Sequence, residues 1–153
     1  MAWERTFAML KPVCVQRGLI GTVLARLERK GFRIAAMKLI RVSAQQAQRH
    51  YAVHEGKPFY ERLVRYITSS PVVALVLEAP DAVAQLRQVC GVTKPNEAAP
   101  GTLRGAIGLD LSNNLIHASD SPENAAAEIA DYFTEAEIVT YRRAADDWLA
   151  GAG

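Results

Sequence analysis

One histidine stands where a predicted strand is followed by a predicted helix. Residues 114–117 form a short, mainly apolar run that ends at His117, and Ser121 with Pro122 follows at once. Serine is a preferred N-cap and proline suits the first helical position, so we expect a helix to begin there. Glu128 lies about two turns into this helix, on a face that can point back toward the histidine. A histidine beside helix N–H groups and a carboxylate has the parts of a nucleophile that accepts a phosphoryl group.

The composition predicts one globular domain, residues 1–153, in a reducing compartment. Half of the residues are hydrophobic and the net charge is +2, which disfavours both a disordered chain and a strongly basic nucleic-acid binder. The longest apolar run, residues 71–77, is far shorter than the ~20 residues that cross a bilayer. Cys14 and Cys90 are too few for a disulfide framework or a zinc site. We therefore expect a cytoplasmic protein with no membrane or nucleic-acid partner.

Hydrophobic periodicity predicts strands and helices that alternate along the chain. The predicted strands are residues 5–10, 32–42, 72–77 and 114–117. The predicted helices run from Leu19 to an end at Gly31, from Ser43, over 59–67, over about 81–90, from Ser121 and from Thr134. Residues 91–105 are predicted to form a long loop. This order predicts an α/β (α+β) sandwich of the ferredoxin-like, split βαβ type, in which helices cover a four-stranded antiparallel sheet.

Many separate motifs follow one another in a fixed order. They are residues 4–7, Lys11-Pro12, residues 15–21, residues 30–32, His50-Tyr51, residues 57–59, residues 71–73, Thr93, Pro95, residues 100–105, residues 114–121 and Asp147-Trp148. Over essentially the whole sequence, these motifs resemble those of nucleoside diphosphate kinases. The resemblance implies a two-step transfer in which a nucleoside triphosphate phosphorylates a histidine. That histidine then phosphorylates a different nucleoside diphosphate.

The resemblance also implies a catalytic role for particular residues. His117 matches the nucleophile, and Glu128 matches the group that orients its ring through one nitrogen. Ser119 is expected in the same hydrogen-bond network, and Tyr51 is expected beside the reacting phosphoryl group. Lys11 matches a group that contacts the oxygen bridging to the transferred phosphate.

A second set of matched residues is expected to bind the nucleotide. Lys11 and Asn114 match the groups that hold the sugar hydroxyls and the bridging oxygen. Arg87 and Arg104 match the arginines that bind phosphate, and guanidinium groups suit such bidentate contacts. Thr93 is expected to donate its hydroxyl to the same phosphates.

The base pocket implied by the resemblance is apolar. Phe59 and Leu63 are expected to sandwich the base, and Leu111 is expected to line the pocket from its other end. An apolar slot that reads only the face of a base explains broad nucleotide tolerance. Mg²⁺ is expected to arrive with the nucleotide, bridging phosphate oxygens and water, and not in a protein cage.

Several positions depart from the residues that the family usually has. They are Val13-Cys14, Ser70, Lys94, Ala106, Ser112 and Ala118. Ala118 is the closest to the chemistry, and if the backbone there needs a positive φ, alanine costs about 1 kcal/mol. The Val13-Cys14 pair lacks a polar turn contact and is expected to loosen Lys11. Every residue matched to a chemical role is retained, so we expect an active enzyme.

Other interpretations stay open at the level of sequence. His117 and Glu128 also fit an ordinary hydrogen-bonded histidine and an exposed helix carboxylate, and Phe59 and Leu63 also fit plain core packing. The chain also fits a catalytically weakened family member that acts as a regulatory, RNA-binding or protein-binding module. A metal site formed by His50 and His54 is another interpretation, because the i and i+4 positions share one helical face, but a third ligand is missing.

The resemblance also bears on assembly. Family members are usually symmetric homo-oligomers, and the length of the C-terminal tail favours a hexamer over a tetramer. Trp148 near the chain end fits either a subunit contact or a cap on its own domain.

Overall fold

The computed structural model describes residues 2–150, and at its centre is a four-stranded antiparallel sheet. The strands are β1 (Trp3–Leu10), β2 (Arg33–Ile40), β3 (Val72–Pro80) and β4 (Ile116–Ala118). Their order across the sheet is β2-β3-β1-β4, and every neighbouring pair is antiparallel. This is the ferredoxin-like, split βαβ arrangement, so the predicted fold class is confirmed.

The helices cover most of the segments between the strands. Within residues 2–150 they are α1 (Pro12–Gln16), α2 (Ile20–Lys30), α3 (Ala44–His50), α4 (Tyr60–Thr68), α5 (Ala82–Cys90), α6 (Leu103–Ile107), α7 (Pro122–Tyr132) and α8 (Asp146–Leu149). Turns of 3₁₀ helix cover Ala52–His54 and Glu135–Glu137. None of these helices has the length and apolar character that a membrane span requires.

The predicted helix ends are confirmed where capping residues mark them. The Ser43 side chain accepts a hydrogen bond from the Gln46 N–H, which completes the predicted capping box of α3. The Ser121 side chain accepts from the Asn124 N–H at the start of α7. Gly31 ends α2 with φ of +120°, a conformation that glycine adopts without a Cβ penalty.

Three local predictions are wrong. The loop predicted over 91–105 is interrupted by α6, which begins after the N-cap Thr102. The helix predicted from Thr134 is only a 3₁₀ turn, although its capping box with Glu137 is present. His50 and His54 do not share a helix, because α3 ends at His50 and His54 belongs to the following turn.

The core lies on both faces of the sheet, because side chains alternate along each strand. Ala8 and Leu10 of β1 pack on one face, with residues from α1, α2, α5 and α6. Phe7 and Met9 pack on the other face, with residues from α3, α4 and α7. All four of these β1 side chains are fully buried.

The same alternation sets the direction of His117. In the antiparallel pairing of β1 with β4, Met9 stands opposite His117. Opposite residues in such a pair point to the same face. His117 therefore points toward α3 and α7, while its neighbours Ile116 and Ala118 pack on the opposite face.

Candidate active site

His117 is held by a carboxylate that is itself held by a serine. Its Nε2 lies 2.7 Å from Glu128 Oε2, and the Ser119 hydroxyl donates to the other oxygen, Oε1. Burial by itself would raise the pKa of Glu128, but the hydrogen bonds from His117 and Ser119 outweigh it and lower the pKa below its usual value. An ionised carboxylate only accepts hydrogen bonds, so Nε2 carries the ring proton. The lone pair of the neutral ring is then on Nδ1.

His50 is the site neighbour that sequence reasoning missed. Its ring meets the His117 ring edge-on, with the centroids 4.5 Å apart. Burial, with the His117 charge as a second cause, lowers the pKa of His50 to about 3. His50 Nδ1 lies 3.4 Å from the buried Tyr132 hydroxyl. The sequence named His50 only in the motif with Tyr51 and as a metal ligand paired with His54, and neither placed it beside His117. The Tyr51 ring packs edge-on against His50 at 4.8 Å.

Lys11 and Asn114 lie together beside the end of β1. Lys11 Nζ donates to Asn114 Oδ1 at 2.7 Å, and Asn114 Nδ2 donates to the Thr93 carbonyl at 3.3 Å. Burial, reinforced by the charge of Arg104, lowers the pKa of Lys11 to about 8. The structure thus brings together three residues that are far apart in sequence and that the resemblance matches to the nucleotide.

Arg104 supports the kinked segment that leads into β4. Its guanidinium donates to the carbonyls of Asn114, Gly91 and Ile116 at 3.2, 2.8 and 2.5 Å. Between two of these carbonyls is the fully buried Leu115, which has φ of +82°. A leucine rarely adopts this left-handed conformation, and such strain persists only where its surroundings fix it.

Ala118 does not carry the strain that sequence reasoning associates with it. The non-glycine residues with positive φ in the described chain are Asp81 and Leu115. Ala118 pairs with Ala8 inside the sheet, and its carbonyl accepts a hydrogen bond from Arg87 at 3.3 Å. The replacement of a usual glycine by Ala118 therefore imposes no left-handed backbone next to His117.

Three cationic side chains gather around β4. Arg87 is exposed, Arg104 is buried, and Lys11 is partly buried. Burial lowers the pKa of Arg104, and the charge of Arg87 adds to this effect. Across residues 2–150, no carboxylate forms an ion pair with any of these three groups. Cations gathered without counter-charges make a favourable environment for an anion.

Two of the three residues matched to the base, Phe59 and Leu63, lie at the start of α4 and within it. Phe59 is 37% exposed, and its ring meets the ring of His54 at 5.2 Å. Leu63 follows one turn later and packs against the core. Leu111 is half exposed in the segment before β4, so its place beside the base stays a prediction.

Phosphoryl transfer needs a nucleophile with a free lone pair and cations that bind phosphate oxygens, and both lie around β4. The class of protein that this arrangement defines is a phosphotransferase. A family model described as nucleoside diphosphate kinase matches residues 4–138. The chain belongs to the nucleoside diphosphate kinase family.

Similar proteins extend over nearly the whole chain. A nucleoside diphosphate kinase of Archaeoglobus fulgidus is 53% identical over 146 residues, which are 95% of this chain and 97% of the relative. One from Moorella thermoacetica is 56% identical over 138 residues, 90% of this chain and 99% of the relative. The halophilic nucleoside diphosphate kinase of Halobacterium salinarum, solved in complex with CDP, superposes with a TM-score of 0.94. It is 48% identical and covers 97% of this chain and 99% of its own.

Membership of this family confirms the predicted family, activity and class of enzyme. The chain transfers a phosphoryl group from a nucleoside triphosphate to a nucleoside diphosphate, in a reaction that requires a divalent cation. The alternatives of a binding or regulatory module without this activity are not favoured.

Proposed function

We propose that Nδ1 of His117 is the atom that carries the phosphoryl group between the two nucleotides. Glu128 supports this role because its carboxylate binds Nε2–H and thereby leaves the Nδ1 lone pair free for attack. Attack forms the bond from Nδ1 to phosphorus and breaks the bond to the bridging oxygen, which leaves with the nucleoside diphosphate. The second half-reaction reverses these steps with a different diphosphate.

The cations Lys11, Arg87 and Arg104 bind the phosphates in this proposal. The transition state of phosphoryl transfer is loose and spreads negative charge over the outer oxygens, so positioning and charge stabilisation are the main tasks. Lys11 is directed by its 2.7 Å bond to Asn114, which supports a shared role for the pair at the sugar and the bridging oxygen. The Thr93 carbonyl accepts a hydrogen bond from the Asn114 amide, so Thr93 lies beside the same group of residues. This position supports a phosphate contact by the Thr93 hydroxyl.

Phe59 and Leu63 hold the base in this proposal, with Leu111 on its other side and Tyr51 near the reacting group. The Phe59 ring is 37% exposed, so part of its surface is accessible for stacking. The CDP complex of the Halobacterium salinarum relative supports a nucleotide as the occupant. Stacking accepts any base, so broad nucleotide tolerance is expected.

The divalent cation is Mg²⁺ in this proposal. Mg²⁺ prefers oxygen ligands, and the group of potential metal ligands within residues 2–150 offers one carboxylate and two imidazoles. This donor set supports binding through the nucleotide phosphates and not through a protein cage. Bound to the phosphates, Mg²⁺ would neutralise part of the charge that Lys11, Arg87 and Arg104 also face.

The protein acts as a cytoplasmic homo-oligomer of a single domain, residues 1–153, with a hexamer favoured. Met37 and Leu39 are 54% and 63% exposed on β2, which is an edge strand. Exposed apolar edge strands are templates for pairing with another chain. Trp148 is 91% exposed and does not cap its own domain, which supports a contact with another subunit. The free thiols of Cys14 and Cys90 support a reducing compartment.

Incubation with γ-labelled ATP and Mg²⁺ tests the role of His117. The wild-type protein should gain an acid-labile label, and His117→Ala should gain none. His54→Ala is the matched control, because this histidine is not in contact with the Glu128 carboxylate and should leave labelling of the protein intact. A wild-type protein without label, or a labelled His117→Ala variant, contradicts the proposal.

A further inference from the structure

Two histidines and one glutamate converge beside β4. Potential ligand atoms of His50, His117 and Glu128 all lie within 4.8 Å of one another. They come from three elements, since His50 ends α3, His117 lies in β4 and Glu128 lies in α7. Each side chain is partly buried, so the cluster is neither sealed inside the core nor fully exposed to solvent.

We propose that His50, His117 and Glu128 form a binding site for Zn²⁺ in the nucleotide-free protein. Two imidazoles and one carboxylate, with water in the fourth position, are a common ligand set of open zinc sites. The ligand atoms of a tetrahedral zinc ion are about 3.3 Å apart, given bonds of about 2.0–2.1 Å. Ligand atoms within 4.8 Å of one another need to move by about 1.5 Å or less to reach this spacing, which is a distance within the range of side-chain rotation.

The proton between His117 and Glu128 has a defined place to go. Zn²⁺ takes the position of that proton between Nε2 and the carboxylate, which now lie 2.7 Å apart. The neutral imidazole keeps one proton, which moves through solvent from Nε2 to Nδ1. The zinc-bound ring then has no lone pair on Nδ1. This consequence rests on the proposed role of Nδ1, whereas the binding of zinc does not.

The donor set also favours the binding of Zn²⁺ over Mg²⁺, the cation proposed to accompany the nucleotide. Imidazole nitrogens favour Zn²⁺, whereas Mg²⁺ favours oxygen ligands and gives up its water reluctantly. We therefore expect Mg²⁺ at millimolar concentration not to displace zinc from these three residues. The other strong zinc donors, the thiols of Cys14 and Cys90, are fully buried in the core on the opposite face of the sheet.

Titration of nucleotide-free protein with Zn²⁺ tests the site, in buffer that contains Mg²⁺. Calorimetry should give one zinc per chain, and Co²⁺ as a substitute should give the visible absorption of a tetrahedral nitrogen–oxygen site. His50→Gln and Glu128→Gln should each weaken the binding of zinc at least about 10-fold. The chain has three histidines, so His54→Gln is the matched control and should bind zinc as the wild type does.

Three results would each overturn the proposed zinc site: absence of zinc binding, equal binding by all variants, or a cobalt–thiolate band. Because two variants from different helices are compared, misfolding of one of them does not decide the outcome.

A second arm measures labelling by Mg·ATP in a buffer of fixed free Zn²⁺. Labelling should fall in the wild type and recover with a chelator. Zinc binding by a protein that is never labelled would contradict the role of His117 and leave the zinc site standing. A protein that is labelled but binds no zinc would contradict the zinc site and leave the role of His117 standing.

Discussion

The imidazole of His117 has two nitrogens, and the Glu128 carboxylate is hydrogen-bonded to one of them, Nε2. Glu128 binds Nε2, and Ser119 binds the other oxygen of the same carboxylate, so the ring has one orientation and one tautomer. An N-cap, a proline and the helical spacing after Ser121 predicted that Glu128 faces His117, whereas Ser119 was expected in this network only from the family resemblance. His50 was not predicted, because its approach depends on how α3 packs against the sheet.

Lys11 should make activity depend on pH in the alkaline range. Burial and the charge of Arg104 lower its pKa to about 8, so its ammonium loses the proton as the pH rises through that value. The positive charge is then missing from the phosphate site. We expect kcat/KM to fall up to about 10-fold between pH 7 and 9, as measured by steady-state transfer from ATP.

The control for this pH dependence is Lys11→Arg, since a guanidinium keeps its charge over the same range. The decline should be much weaker in this variant, whatever its absolute rate. An equal decline in both proteins would show that another group titrates. The depressed pKa also means that the folded chain holds this proton less tightly than the unfolded chain, so this group should add stability as the pH rises from about 8 to 10.5.

At the scale of elements, the sequence predicted the parts with strong periodicity and missed the short ones. The strands and the longer helices carry continuous apolar runs or alternating or helical patterns of apolar residues. Helices α1, α6 and α8 have only four or five residues, too few for a period to appear. Tertiary contacts hold them, as where Asp146 of α8 accepts from Arg33 at 2.7 Å.

The Val13-Cys14 departure illustrates the same limit. Sequence reasoning expected it to loosen Lys11, because a polar turn contact is missing. In the structure the Val13 N–H donates to the Tyr66 hydroxyl at 3.2 Å, and Cys14 is fully buried in the core. Both contacts hold α1 in place, so contacts with residues distant in sequence compensate for the missing turn contact.

Arg104 should stabilise the segment before β4 as well as bind phosphate. Arg104→Lys removes part of the set of hydrogen bonds to the Asn114, Gly91 and Ile116 carbonyls, because an ammonium lacks the fork that reaches all three; the Asn114 carbonyl keeps its bond from the Ile116 N–H. We expect the free energy of unfolding to fall by about 1–3 kcal/mol, as measured by urea unfolding. Arg87→Lys is the control, because Arg87 is exposed and makes one weak backbone contact, and should cost less than about 0.5 kcal/mol. Equal losses in the two variants would contradict this role.

At the scale of the whole molecule, the exposed edge of β2 should be a contact between subunits. Leu39→Glu places a charge on this apolar edge and should reduce the assembly to smaller species in light scattering after gel filtration. Val53 is 81% exposed in the turn after α3, so Val53→Glu is the matched control and should leave the assembly intact. A wild type that is monomeric, or a Leu39→Glu variant that assembles normally, contradicts the prediction.

The transfer of the phosphoryl group depends on one histidine of the edge strand β4, which serves both nucleotides. Its most direct test starts from labelled phosphoprotein that has been freed of ATP and then mixed with Mg²⁺ and unlabelled GDP. The label should leave the protein and appear as GTP in one turnover, in proportion to the protein present. Label that stays on the protein, or that appears only as inorganic phosphate, would contradict a relay through His117.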